Sequence, residues 1–185
     1  MKNDLKMQEK FLREIGLFAV QFSHLEFGLT HLSAFTCEDI RYWEVHFEGN
    51  FGLSLESKRD LIKKFIKSEL PHLLNEWESI NTEIGKLNHF RRHLIHGTGD
   101  SYLFHPKIST CIKNNKKIET MKFTVKDINI LVKRINEVCT GYNGIHGVFS
   151  IKFKYAAINW YNKNAETHKR IIYQVNNEII TEWKS

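Results

Sequence analysis

The stretch LLNEWESINTEIGKLNHFRRHLIHG, residues 73–97, decides how the chain is read. Within it Leu73, Trp77, Ile80, Ile84, Leu87, Phe90 and Leu94 recur at steps of three and four. That spacing gathers them on one face of an α-helix, because a helix turns once every 3.6 residues. Pro71 suits the start and Gly97 the stop, which predicts a helix over about 71–96. The same alternation runs through Ile15, Phe18, Phe22, Leu25, Leu29 and Leu32 and predicts a first long helix over about 4–31. Glu26 lies beside that stripe, and a carboxylate drawn toward a core wants a basic partner. Two long helices with matching apolar faces predict an antiparallel pair inside a bundle.

Between them, Leu61, Ile62, Phe65 and Ile66 mark another helix that begins near Ser54 or Ser57. A short helix over about 38–47 and a loop at residues 49–52 precede it. Beyond Gly97 the period changes to two. Ile108, Thr110 and Ile112 alternate with polar neighbours, Asn114-Asn115 supplies a turn, and Met121 and Phe123 resume the pattern, which predicts a β-hairpin. Thr124 caps a further helix carrying Val125, Ile128, Leu131, Val132, Ile135 and Val138, and glycines at 141, 144 and 147 end it. Phe149, Ile151, Phe153 and Tyr155 alternate as in a strand, yet Phe149, Phe153, Ala156, Ala157 and Trp160 suit a helix equally, and helix is preferred. Asn176-Asn177 between apolar runs suggests a second hairpin over about 171–183.

The expectation is a mainly α fold: one domain over 1–185, with a hairpin insertion at about 102–123 and a C-terminal extension over about 143–185. A hydrophobic content of 42% supports a real core and argues against disorder. Three widely spaced cysteines, Cys37, Cys111 and Cys139, form no CxxC pair, so reduced thiols in a cytoplasmic setting are expected. No run approaches the roughly 18 apolar residues of a membrane span, and the charged N-terminus lacks a signal-peptide core, so no membrane partner is expected. Net charge is +6, and its distribution matters more than its total. Residues 89–134 hold ten Lys and Arg against Asp100, Glu119 and Asp127, while the rest of the chain is close to neutral. Concentrated positive charge attracts polyanions, although a solvated lysine-rich hairpin would have the same composition.

The most basic segment opens on Arg91-Arg92-His93-Leu94-Ile95-His96-Gly97. Arg92 and His96, four apart, share a helix face, with His93 beside them; Arg91, five before His96, points away on an ideal helix. His96 could equally cap the last carbonyls of its helix, and either arginine could pair with Glu83 or Glu26. A metal site is the rival reading, since His89 and His93 are spaced i, i+4 with His96 three further on. The glutamate of the zinc-protease motif is missing, however, and two adjacent arginines would repel a divalent cation, so no metal and no other cofactor is expected.

Arg91-x4-His96 near the end of a bundle helix, with Leu94-Ile95-His96-Gly97 closing it, resembles the signature of the HEPN superfamily. The Phe22-Ser23-His24-Leu25-Glu26 segment is similar to the first helix of many of its members. The resemblance spans about residues 4–142 and implies a HEPN-like antiparallel helical bundle with an inserted β-hairpin. It implies a metal-independent endoribonuclease of a bacterial toxin or phage-defence type, acting on RNA at a composite homodimer site. It also implies an antitoxin or other defence-system partner protein. Arg91 and His96 take the catalytic positions, with Arg92, His93 and Glu26 binding phosphate or supporting. Two departures stand out: Arg92 occupies a position where the superfamily often has asparagine, and Thr98 stands where one toxin branch carries a tyrosine that its antitoxin modifies.

The chemistry suits these side chains. Metal-free RNA cleavage needs a proton taken from the ribose 2′-OH, charge stabilised on the phosphorane and a proton given to the leaving oxygen. Histidine serves the proton transfers and arginine grips phosphate in a bidentate manner. The alternatives on the same fold are a non-catalytic RNA- or nucleotide-binding module and a toxin–antitoxin interaction module. The C-terminal Lys152, Lys154, Trp160, Tyr161, Lys169, Arg170 and Tyr173 could stack on single-stranded RNA, but a core helix with solvated lysines is the simpler expectation.

Overall fold

The computed structural model describes residues 2–37, 42–99, 108–114 and 117–175. They form a mainly helical protein with a small antiparallel sheet. Helix α1 is Lys2–Ala34, α2 Trp43–Asn50 and α3 Leu55–Glu69. A 3-10 turn at Pro71–Leu73 leads into α4, Leu74–His96. Strands β1 (Thr98–Gly99), β2 (Ile108–Asn114) and β3 (Lys117–Phe123) follow, then α5 (Val125–Thr140) and α6 (Val148–Val175). Two compact units emerge, one of Met1–Gly28 with Asn75–Phe149, the other of Leu29–Leu74 with Ser150–Ser185. Among the described residues no helix is long and apolar enough to cross a membrane.

In the first unit the apolar stripes are buried as their periodicity requires. Phe11, Phe18, Phe22 and Leu25 of α1 are enclosed, as are Trp77, Ile80, Ile84 and Leu87 of α4 and Ile128, Leu131, Val132 and Ile135 of α5. Each such burial contributes about 1.5–3 kcal/mol, so the stripes outweigh any single cap, worth about 1 kcal/mol. One position departs from expectation. Ile15 lies at the edge of the α1 stripe and Glu14 takes the inward place, with Arg13 Nη2 donating to its Oε1 at 2.7 Å. Glu14 stands three residues after Phe11 and four before Phe18, so it continues the buried row through an acidic residue. Trp77 stacks on Phe149 with ring centroids 5.9 Å apart.

The α5 start carries a capping box: Thr124 Oγ1 accepts from the Asp127 amide at 3.1 Å, and the Thr124 amide donates to Asp127 Oδ2 at 2.7 Å. At the other end, the amides of Ile145 and His146 donate to the carbonyls of Val138 and Cys139, which would otherwise lack partners past the last turn. This glycine-rich turn comes so close to α1 that a Cβ on Gly28 would overlap the His146 ring.

The hairpin pairs Ile108 with Phe123 through to Asn114 with Lys117, and β1 adds Thr98 opposite Cys111 on its other edge. Side chains alternate across a strand. Thr110 and Ile112 on β2 and Phe123 on β3 are buried, so Glu119 and Met121, spaced by two from Phe123, share the inward face.

The second unit buries Leu29, Leu32, Ile62, Phe65, Ile66, Leu70, Leu73, Phe153, Ala157 and Tyr161. Ser54 caps α3 by accepting from the Ser57 amide. Of the short helix expected over 38–47, residues 38–41 lie outside the described residues; the helix seen is Trp43–Asn50, which runs into the expected loop at 49–52 and has no buried residue. His31, Phe35, Trp43 and Phe47 form an aromatic cluster with centroids 5.5–5.8 Å from the His31 ring. The segment from Phe149 to Trp160, where helix was preferred over strand, is helical: Phe65 meets Phe153 and Trp160 edge-on, a spacing of seven along α6 that two helical turns produce. Residues 171–175 continue α6 rather than opening a hairpin, and 176–183 lie outside the described residues.

Candidate functional site

The end of α4 sorts the motif into an enclosed set and an open set. Arg91 is half-buried. Its Nη1 lies 3.2 Å from Glu26 Oε1 on α1, and its guanidinium sits 4.9 Å over the Phe22 ring. A charge partner and an aromatic face together hold a long side chain in one orientation. Glu83, the other acidic partner considered for the arginines, is taken by Arg134 of α5, whose Nη2 and Nε lie 2.5 and 2.6 Å from its Oε1. Arg92 and His96 are exposed, one helical turn apart. Gly97 then closes the helix: its amide donates to the His93 carbonyl at 3.1 Å, and a Cβ at this position would collide with that same oxygen. Any other residue there would push the chain off the path that leads into β1.

His93 does not stand with Arg92 and His96. Its side chain is fully buried beneath the hairpin, away from the solvent that surrounds the other two. The physical reason is the hairpin itself, which covers the flank of α4 that an isolated helix would leave open. Nδ1 of His93 lies 3.2 Å from Thr110 Oγ1 on β2. Nε2 is buried with no hydrogen-bond partner and faces Glu119 Oε2 of β3 at 4.0 Å, too far for a hydrogen bond. The His89 ring meets it edge-on at 5.1 Å. Burial lowers the pKa of His93 below the ordinary 6.5, the neighbouring His89 and Arg92 lower it further, and Glu119 and a hydrogen bond at Thr110 partly oppose them. The neutral imidazole is therefore the favoured form.

Ligand atoms of His89, His93 and Glu119 all lie within 4.8 Å of one another. The histidine pair was legible as an i, i+4 spacing, but His96 is not the third member. Glu119 is, supplied from 26 residues further along the chain by the hairpin. The signal for it was present: in the alternation Glu119-Met121-Phe123 a carboxylate occupies a place on the core-facing side of a strand.

The cysteines take no part. None of the three forms a disulfide among the described residues, and burial pushes the Cys139 thiol up to about 12, which leaves it inert. A shallow groove of about 320 Å³ lies along Phe90, Met121, Ile130 and Arg134 and includes neither His96 nor the first two arginines. Of the C-terminal aromatic and basic residues, Tyr161 is buried and Lys154 sits 5.5 Å over the Phe35 ring, so neither presents a free stacking face. The side chains of Lys169, Arg170 and Tyr173 lie outside the described residues. No protein-family model, curated protein or solved structure matches the chain.

Proposed function

We propose that the protein is a metal-independent endoribonuclease of the HEPN kind, belonging to a toxin or phage-defence system. The observation that carries this reading is the open end of α4, where exposed His96 and Arg92 stand one turn apart beside an Arg91 held by Glu26 and Phe22. Arg91 and Arg92 bind and neutralise the scissile phosphate. Arg91 does so as a preorganised charge that needs no rearrangement when negative charge develops, and Arg92 as a mobile clamp. His96 transfers protons, and histidine is the side chain whose ordinary titration range suits both directions near neutrality. His93 and Glu26 support without touching the substrate.

One imidazole cannot take the 2′-OH proton and deliver another to the leaving oxygen in the same step. The chemistry therefore calls for a second His96, from a second copy. Leu17, Val20 and Phe27 of α1 supply a face for it: they are exposed, apolar and spaced three and seven apart on one side of the helix. The reaction requires a 2′-OH, so RNA is a substrate and DNA is not.

Incubation of the protein with RNA in the presence of EDTA tests this. Cleavage leaving 2′,3′-cyclic phosphate ends, lost in His96→Ala and in the monomer made by Leu17→Asp with Val20→Asp, is the expected result. Undiminished cleavage by His96→Ala rejects it. One observation favours a second reading: Arg91 already spends charge on Glu26, which suits an RNA-binding module without turnover. Salt-sensitive RNA binding with no cleavage by the wild type selects that reading.

A further inference from the structure

We propose that His89, His93 and Glu119 form a site for a divalent zinc-type ion that fastens strand β3 of the hairpin to helix α4. This goes beyond the ribonuclease reading and does not depend on it. The donor set is two imidazole nitrogens and one carboxylate oxygen, all within 4.8 Å of one another. Zinc holds such ligands at about 2.0–2.2 Å, which places ligand atoms about 3.3 Å apart on a tetrahedron. The three side chains thus need to close by up to about 1.5 Å. His93 is fixed, whereas Glu119, with 38% of its side chain exposed, and half-buried His89 have room to move.

The independent sign is His93 itself. A wholly enclosed imidazole normally satisfies both nitrogens, and here Nε2 has no hydrogen-bond partner and lies 4.0 Å from the Glu119 carboxylate. Its other nitrogen lies beside the Thr110 hydroxyl, the kind of outer contact that sets the tautomer of a metal-ligating histidine and aims its lone pair at the ion.

The placement of Glu119 also finds its reason. Glu119 lies on the hairpin face that Met121 and Phe123 continue inward, and it is only partly exposed there. Beside two imidazoles and a cation it becomes a ligand. The electrostatic objection raised by the two arginines weakens once their positions are known: Arg91 is neutralised by Glu26, and Arg92 is exposed and screened by solvent. Two imidazoles favour zinc over magnesium or calcium, which prefer all-oxygen sites. The fourth position is left to water. The ion takes no part in the phosphodiester step. It fixes the stance of the basic hairpin against the helix end that carries His96.

Untagged, EDTA-treated protein titrated with zinc against a chromophoric chelator should take up one ion per chain. His89→Gln and Glu119→Gln, both at partly exposed positions and therefore expected to fold, should bind at least about tenfold more weakly. Zinc in hundredfold excess over Kd should raise the thermal midpoint of the wild type by about 5–10 °C and leave both variants unmoved. Cobalt should give the visible bands of a four-coordinate site without thiolate charge transfer, which separates this site from the cysteines. No stoichiometric uptake by the wild type, or equal affinity in both variants, overturns the proposal. Loss of RNA cleavage in His96→Ala would leave all these readouts unchanged, so the two proposals fail separately.

Discussion

His93 and His96 are three residues apart on one helix and live in opposite surroundings. His93 is fully enclosed between α4 and the hairpin, neutral by preference, with one nitrogen beside Thr110 and the other aimed at Glu119. His96 stands in solvent at the last turn, with Arg92 one turn before it. On the readings proposed above, the same side chain ligates an ion in one position and transfers protons in the other. Depth and neighbours separate the two, not residue type.

The largest effect expected from breaking this contrast is on turnover. His96→Ala should lower RNA cleavage by about 10²–10⁴-fold, the usual share of general acid–base catalysis, with an unchanged thermal midpoint. His93→Gln should do the reverse, lowering stability first and turnover only as the hairpin loosens. Paired cleavage assays and thermal melts would show whether the roles separate in this way. Equal losses of both properties in both variants would remove the distinction.

Next in size is Gly97. A Cβ there collides with the His93 carbonyl, so Gly97→Ala should cost about 1–3 kcal/mol in urea unfolding, a typical penalty for forcing atoms into a packed site. If it unfolds at the wild-type midpoint, the helix end is not under the constraint described.

Acid sharpens the same contrast. The pKa of His93 is lower folded than unfolded, so below the unfolded value of about 6.5 the unfolded chain binds the extra proton and the folded chain resists it. Its contribution to stability is complete above that value and is lost as pH falls through the folded pKa. The urea midpoint should therefore drop between pH 7 and pH 5, and His93→Gln should flatten that part of the profile. The groups facing His93 are His89, Glu119 and Arg92, so Glu119→Gln, which removes the one charge that favours protonation, should leave the drop in place.

The smallest effect belongs to the Arg91–Glu26 pair. Both partners are about a quarter exposed, which limits the contact to about 1 kcal/mol. Glu26→Gln should barely change the unfolding midpoint, yet it should weaken RNA affinity or turnover if a fixed guanidinium matters. A stability loss well above that figure would mean the pair holds α1 in place rather than orienting Arg91.

Much of this was open to reading in the chain alone. The stripes of α1, α4 and α5, the Ser54 and Thr124 caps, the Gly97 stop and the presence of the β-hairpin each follow from local rules: a period of 3.6, a period of two, or a residue whose backbone tolerates only certain paths. The clustering of charge and the His89–His93 spacing are equally local. The long α6 was ambiguous because its apolar residues satisfy both periods over the first two turns, and only contacts such as Phe65 with Phe153 and Trp160 resolve it.

What the tertiary structure decided is which of several adjacent, similar side chains face which neighbours. Sequence spacing put Arg91, Arg92, His93 and His96 within a turn and a half of one another. It could not say that the hairpin would fold over His93, that Glu26 would take Arg91, or that Glu119 would arrive from 26 residues beyond His93. Burial and pairing depend on distant chain segments meeting, and local periodicity carries no information about which ones meet.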